Sequence, residues 1–410
     1  MSGSLHLDIK HTLFPRWILL VDPEITGHHG TYLRLLSLSF QRLGYHVCIL
    51  CGERPPWLRI NKAGDTRKMR YMRISEFSFR VLRPKRLRMV VRGFFRWAVL
   101  IVSVIRVRQL LRGTIDLIFL SYLDGYLIPS VFHFSQGLLP ACWSGLYVSP
   151  IEGLPNKRRR YVPISRILAK RKCVGILTLV RTVANKYKQT SGKFVWLPDI
   201  SDNSVDYKQY TSVEAIKPFH DRIVVGLVGA IARRKAVIQL VQAAELAHRA
   251  RLSIAFVIAG HFERASFSCN DLLYLKDTRN ILPNIVWWPH FIQEETEFNA
   301  IVRSCDVLFA AYPDFYMSSN MLAKSAAFGK RIIALRDTYV GTLTEEYDLG
   351  VTLPVITPEG ILEAILKARA VESDFQRKAK RSRFQQLHSE AAFDRALSSI
   401  VNTSDCELKA

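Results

Sequence analysis

Three short stretches hold side chains able to do chemistry. The first is Gly27-His28-His29-Gly30. Glycines let a backbone approach a ligand closely. A neutral imidazole near pH 7 can accept a hydroxyl proton or orient a hydroxyl. The bland alternative is helix capping with solvated imidazoles. Two adjacent histidines between two glycines at the end of an apolar run favour a site. The second stretch is Gly229 followed by Arg233, Arg234 and Lys235, with the cations opening the helical pattern of residues 233–250. A helix dipole disfavours cations at its N-terminus. Three there point to an anionic ligand rather than to a solvated charge run. The third stretch is Tyr312-Pro313-Asp314-Phe315-Tyr316-Met317-Ser318-Ser319-Asn320. It reads as a strand end, a polar loop and a helix cap, where the Ser318 and Ser319 hydroxyls and the amides behind them can hold phosphate oxygens. Plain capping would explain one serine, not the whole polar loop. Asp124 and Glu152 each follow an apolar run. Each is either a carboxylate in a ligand pocket or an ordinary loop acid. His28, His29 and Asp124 are the candidate catalytic set.

Several other chemistries are absent from the sequence. There is no GxxxxGK[ST], GxSxG, HExxH or clean GxGxxG motif. No Asp-x-Asp pair occurs, and no metal site is expected. Cys48 and Cys51 have redox or zinc spacing but lie in the apolar run VCILC, so buried structural thiols are the expectation.

These residues must be positioned by strands and helices, and the periodicity supplies both. WILLVD (17–22), the GHHG turn, TYLRLLSLSFQRLGY (31–45) and HVCILCG (46–52) read as strand, loop, helix, strand. Further buried strands are expected at 115–122, 145–150, 173–180 and 193–198. Residues 199–221 are polar and irregular and form the expected linker. The pattern then restarts, with strands expected at 222–230, 252–260, 284–291, 305–312, 330–335 and 349–354. Helices are expected at 233–250, 295–304 and 318–329. The fold class is therefore α/β, with two Rossmann-like, doubly wound domains facing across a cleft. The expected boundaries are 1–200, 201–375 and a C-terminal helix over 376–410, packing back toward the first domain. In such folds ligands sit outside the carboxyl ends of the strands.

The 410 residues are 49% hydrophobic and 23% charged, enough for two buried cores and too apolar for a disordered chain. Lys and Arg number 58 against 35 Asp and Glu. Residues 1–200 hold 33 basic and 10 acidic residues, whereas residues 201–410 hold 25 of each. The whole excess of +23 thus falls in the first half, which is expected to face an anionic membrane surface or substrate. The segment 83–113 is its most basic helical pattern. Its longest uncharged stretch, Trp97–Ile105, is nine residues, against about 20 needed to span a bilayer. An interfacial helix with Phe94, Phe95 and Trp97 at headgroup level is one reading, and a packed helix with a solvated basic face is the other. The clusters 67–73 and 157–161 add to the membrane reading. No nucleic-acid motif accompanies the charge, so no nucleic-acid partner is expected. Seven dispersed cysteines and a mixed, polar first 15 residues point to a cytoplasmic protein, peripheral on the inner membrane face.

The order of elements, with GLVGAIARRKAVIQLVQA, IAGHF, CDVLFAAYP and SSNMLAKSAAFGKRIIA, resembles the donor-binding domain of GT-B fold glycosyltransferases. The resemblance is to the large retaining family that uses nucleotide-sugars, and it runs over about residues 17–370. ILLVDPEITGHHGTYLRLL resembles that family's acceptor-side opening. The resemblance implies transfer of a sugar from a nucleoside diphosphate sugar to a glycan or lipid-linked acceptor, with no cofactor. It implies that Lys235 binds the donor diphosphate and that the loop with Ser318, Ser319 and Asn320 cradles its phosphates and sugar; the family's Arg after the glycine is Ala230 here, so Arg233 or Arg234 is expected to substitute. Gly229 and Asp314 are further donor-side candidates, and Gly27, Gly30 and Glu152 are the acceptor-side candidates. The family carries two glutamates here, and alignment puts Tyr316 and Lys324 in their places. Lys324 is then expected to offer a cation to a phosphate. A GT-B-like scaffold without transfer activity is the alternative that this departure suggests.

Overall fold

The apolar runs of the first half pair as seven parallel strands. They are β1 (Arg16–Val21), β2 (His46–Cys51), β3 (Met69–Arg73), β4 (Thr114–Leu120), β5 (Trp143–Leu146), β6 (Cys173–Thr178) and β7 (Phe194–Trp196). The computed structural model describes residues 15–25, 27–60, 68–74, 85–111, 113–127, 131–132, 135–150, 164–206, 208–370 and 375–409. The sheet order is β3-β2-β1-β4-β5-β6-β7. Strands buried on both faces read as continuous apolar runs rather than alternating ones. Ile18, Leu19, Leu20 and Val21 are accordingly all 0% exposed.

The second half forms a six-stranded parallel sheet in the order β10-β9-β8-β11-β12-β13. Its strands are β8 (Ile223–Val228), β9 (Ile254–Ala259), β10 (Ile285–Trp288), β11 (Val307–Ala310), β12 (Arg331–Leu335) and β13 (Gly350–Leu353). Helices of eight or more residues are numbered here. In the first half they are α1 (His28–Arg42), α2 (Lys85–Leu110) and α3 (Arg181–Ser191). In the second they are α4 (Val237–Arg249), α5 (Cys269–Ile281), α6 (Glu295–Ser304), α7 (Asn320–Ala327), α8 (Tyr339–Glu346), α9 (Pro358–Ala370) and α10 (Phe375–Leu387). The last is α11 (Glu390–Lys409).

Two compact units result. One comprises residues 1–198 together with 390–410, the other residues 199–389. The C-terminal segment is two helices, not one. α10 belongs to the second unit, where the Gln385 side chain donates to the Ala326 carbonyl at 2.7 Å. α11 completes the first, where Arg42 forks onto Asp394 at 2.7 and 2.9 Å and Phe393, Leu397, Ile400 and Val401 are buried.

Three local expectations change. Residues 69–73, read as a surface basic cluster, are edge strand β3, paired to β2 from Met69 to Arg73, with Arg70 and Arg73 exposed. Trp97 is 1% exposed, donates its indole N–H to the Tyr126 carbonyl at 3.0 Å and packs on Tyr126 and Phe132. It therefore anchors α2 to the core instead of facing headgroups. Arg233, Arg234 and Lys235 form a 3-10 turn, and α4 begins only at Val237, after Ala236 adopts φ 54°. A left-handed residue cannot continue an α-helix, so the cations precede the helix rather than open it. The basic cluster 157–161 lies outside the described residues.

Candidate functional site

In a doubly wound sheet the crevice for ligands opens where the strand order reverses, at the carboxyl ends. That point falls between β1 and β4 in the first unit and between β8 and β11 in the second. Each unit gathers its chemistry there.

In the first unit, β1 is followed at once by Asp22, which is 1% exposed. The loop that follows turns at Gly27, in the left-handed region at φ 57°, and α1 starts at once. A side chain at position 30 would meet the Ile25 carbonyl at 2.3 Å, so Gly30 is required by space. The second residue of α1, His29, turns back to the strand end, with Nδ1 3.0 Å from both oxygens of Asp22. Its Nε2 lies 3.4 Å from Glu24 Oε2, and its ring stacks on Tyr122 at 3.8 Å. Arg96 from α2 approaches Glu24 at 3.9 Å. Burial raises the Asp22 carboxyl above its ordinary value, and the bond to His29 only partly offsets this. Burial would lower the His29 imidazole, but Asp22 and then Glu24 outweigh it and the net direction is upward. Neutral His29 donates Nδ1–H to Asp22 and leaves the Nε2 lone pair for a hydroxyl proton.

The sequence-expected residues divide clearly around this couple. Asp124 lies near enough for His29's charge to act on it, and burial raises its carboxyl. Both of its oxygens are occupied, accepting from the amides of Val148 at 3.0 Å and Ser149 at 2.9 Å. It staples two loops. Of His28 only the backbone, at the first position of α1, is described, and Glu152 lies outside the described residues. Asp22, Glu24, Arg96 and Tyr122 were missed. The signal for Asp22 was in plain sight, as an acid closing the apolar run WILLV at a strand's carboxyl end.

In the second unit, β8 is followed by Gly229 with φ 111°. Lys235 folds back over this strand end, its Nζ 3.3 Å from where a Cβ on Gly229 would stand. The same Nζ lies 5.0 Å above the ring of Tyr312, a buried residue two positions past the end of β11. Its two neighbours are engaged elsewhere: Arg233 pairs with Asp271 at 2.9 Å and Arg234 with Glu263 at 3.0 Å. Among the described residues, Lys235 makes no hydrogen bond or ion pair. Burial, and then Arg234's charge, push it down to about 8. A desolvated ammonium without an acceptor is costly unless an anion joins it.

The 312–320 loop adds neutral polar groups. Ser319 caps α7 without a side-chain hydrogen bond, and Asn320 Oδ1 is buried with no partner. Ser318 donates to Asp199 at 2.6 Å and thereby ties the loop to the start of its unit. Asp314 is exposed at φ 53° in the preceding turn.

Lys324 corrects its expectation. Its side chain is 0% exposed, and Nζ donates to Glu295 at 2.6 Å, to the Asp202 carbonyl at 3.0 Å and to Asn299. An ammonium has three protons. All are spent inside the unit, so Lys324 has none for a phosphate. Cys48 and Cys51 are buried free thiols, both pushed up to about 12 chiefly by burial. Among the described residues no cluster of three or more His, Cys, Asp or Glu is placed to hold a metal ion.

Two parallel-sheet units of this topology define the GT-B fold class, and comparison with solved structures bears out the fold. The chain is similar to a sucrose-phosphate synthase from Thermosynechococcus elongatus, with a TM-score of 0.66, 14% identity, and 95% of this chain and 99% of that one covered. A glycosyltransferase from Rickettsia africae gives 0.66, 12% identity and coverage of 95% and 98%. HepE from Anabaena, solved in complex with UDP and glucose, gives 0.63, 11% identity and coverage of 94% and 99%. No family profile and no curated protein matches the sequence.

Proposed function

We propose that the protein is a glycosyltransferase that moves a sugar from a nucleoside diphosphate sugar to a glycan or lipid-linked acceptor in cell-surface polysaccharide synthesis. The observation that carries this is Lys235: its half-buried ammonium folds over Gly229 and the Tyr312 ring at the switch point of a parallel sheet, with no hydrogen bond or ion pair among the described residues. A donor diphosphate supplies the missing anion. The α7 amides behind Ser319 add positive potential as the diphosphate leaves, in the way fixed dipoles stabilise developing charge. In the first unit, the His29–Asp22 couple takes the acceptor hydroxyl's proton or orients that hydroxyl. Retention of anomeric configuration rests on the sequence resemblance and is read from the product anomer by NMR.

UDP is the first probe, since HepE was crystallised with it. Titration calorimetry with UDP, followed by transfer assays over a panel of nucleotide-sugars, tests the reading. Saturable UDP binding that Lys235→Ala reduces at least tenfold supports it. Binding and transfer unchanged in that variant refute the assignment. The alternative is a scaffold without transfer activity, and the internal use of Lys324 favours it, because a ribose-binding glutamate is then lacking. Failure of every nucleotide to bind would establish that alternative.

The membrane partner is proposed from α2. Its outward face exposes Phe94, Val102, Ile105 and Leu110 beside Arg92, Arg106 and Arg108. Among the described residues no helix is long and apolar enough to cross a bilayer. An interfacial helix on anionic lipid, at the cytoplasmic face, fits both facts. Cosedimentation with phosphatidylglycerol vesicles, lost in Phe94→Ser/Ile105→Ser, supports this reading. Unchanged cosedimentation refutes it.

A further inference from the structure

The second unit has another concentration of positive charge, at the opposite ends of its strands. A pocket of about 290 Å³ opens beside Val307 and Arg331, the first residues of β11 and β12. It lies about one strand length, roughly 10 Å, from the carboxyl ends where Lys235 sits. Lys330, Arg331, Arg369, Arg377, Lys378 and Arg381 line it, with Asp306 the lining carboxylate.

Nearby acids leave most of this charge uncompensated. Asp306 accepts the Val224 amide at 2.9 Å. Asp348 serves two guanidiniums, reaching Arg331 at 3.4 Å and Arg377 at 3.2 Å. Lys330 donates to the Arg303 carbonyl at 2.7 Å. Among the described residues Arg369, Lys378 and Arg381 have no ion-pair partner. Arg331 Nε is buried with no acceptor, although the other end of its guanidinium holds the Asp348 carbonyl at 2.9 Å. Burial, and then the charge of Arg331, lower the Arg381 guanidinium below its ordinary value.

Helix dipoles account for some of these cations, since Lys330 follows α7 and Arg369 stands in the last turn of α9. They do not explain a buried guanidinium nitrogen without an acceptor, nor two arginines crowding each other inside a concavity. A planar fork is suited to bidentate binding of phosphate oxygens.

We propose that this pocket binds a phosphate group of a small ligand, seated between Arg331 and Arg381 and closed over by Lys378 and Arg377, as a second ligand site of the protein. Its size sits at the small end for ligand sites and suits a phosphate bearing a compact body rather than a whole nucleotide-sugar. The site owes nothing to Lys235 and stands whether or not the donor reading does.

The test uses the full chain and inorganic phosphate, titrated by calorimetry at constant ionic strength with chloride as the balancing anion. Saturable binding is expected. Arg381→Ala weakens it at least tenfold, Lys378→Ala several-fold, and Lys235→Ala leaves it within twofold. UDP binding is followed in the same variants, so failure of the donor reading shows in UDP and failure of this one in phosphate. If Arg381→Ala does not fold, Arg381→Gln keeps the side chain's length without its charge and replaces it. Vesicles of phosphatidylglycerol separate the sources. Arg381-dependent vesicle binding assigns the phosphate to a lipid headgroup, and phosphate binding without it assigns a free anion. Either result supports the site. Absence of both, or phosphate binding that depends on Lys235 and not on Arg381, overturns it.

Discussion

Replacing Lys235 by methionine should make the protein more stable and at least halve its response to UDP. The folded-state value of about 8 lies some 2.5 units below an ordinary lysine at 10.5. At about 1.4 kcal/mol per unit, holding the ammonium charged at pH 7 costs about 3 kcal/mol. Methionine fills much of the same space without the charge. It forfeits the contact over Tyr312, worth about 1 kcal/mol, leaving a net gain of about 2 kcal/mol. For a unit of this size each kcal/mol moves the midpoint by about 2–4 °C, so a rise of about 4–8 °C is expected by scanning calorimetry. The pH dependence is fixed in sign. Between about 8 and 10.5 the unfolded chain binds the proton and the folded chain does not, so wild-type stability rises with pH across that window. The gap between wild type and variant should therefore be full below pH 8 and close by about 10.5. UDP at a hundred times the wild-type dissociation constant adds about 2.7 kcal/mol to wild type and, with binding weakened at least tenfold, no more than about 1.4 kcal/mol to the variant. A variant that melts at or below wild type at pH 7, and shifts with UDP as far as wild type does, would refute the reasoning.

Further outcomes follow from the same geometry. Gly229→Ala places a Cβ 3.3 Å from Lys235 Nζ at φ 111° and should cost about 1–3 kcal/mol in thermal unfolding while weakening UDP binding. Lys324→Ala leaves Glu295 and Asn299 facing a void and should destabilise the second unit by about 3 kcal/mol in urea unfolding. Asp22→Asn removes the partner that lifts His29, so the imidazole value by NMR should fall; transfer should drop about 100-fold or more. In wild type the raised His29 value contributes stability below pH 6.5 that is lost as pH rises through the folded value, and Asp22→Asn should flatten that dependence.

Much of this was legible in the residues, and the exceptions have physical causes. Strands buried on both faces declare themselves as unbroken apolar runs, which is why β1, β8 and β9 were read from WILLV, IVVGLV and IAFVIA. β3 was missed because an edge strand, RYMR after Met69, keeps arginines on its exposed positions and reads as a charge cluster. Gly229 and Lys235 were found through type and spacing. That Lys235, and neither arginine, lacks a partner depends on Asp271 and Glu263, which stand 38 and 29 residues further along from Arg233 and Arg234. Lys324 shows the same limit. Its charge suggested a ligand, but Glu295 and Asn299 face it from another helix, and no local pattern announces a long-range internal pair.

The last helix, α11, has a consequence for how the protein is made. It packs on β6 and α1 and sets Ile400 where a Cβ on Gly175 would meet it at 2.4 Å. The amino-terminal unit is thus stitched from two stretches of chain with a whole second unit spliced between. At about 5–20 residues per second, roughly 10–40 s of synthesis separate its first stretch from its last. During that interval an open apolar flank waits on the ribosome while the later unit is free to finish first, and nascent chains stalled before Glu390 should be the ones that chaperones hold.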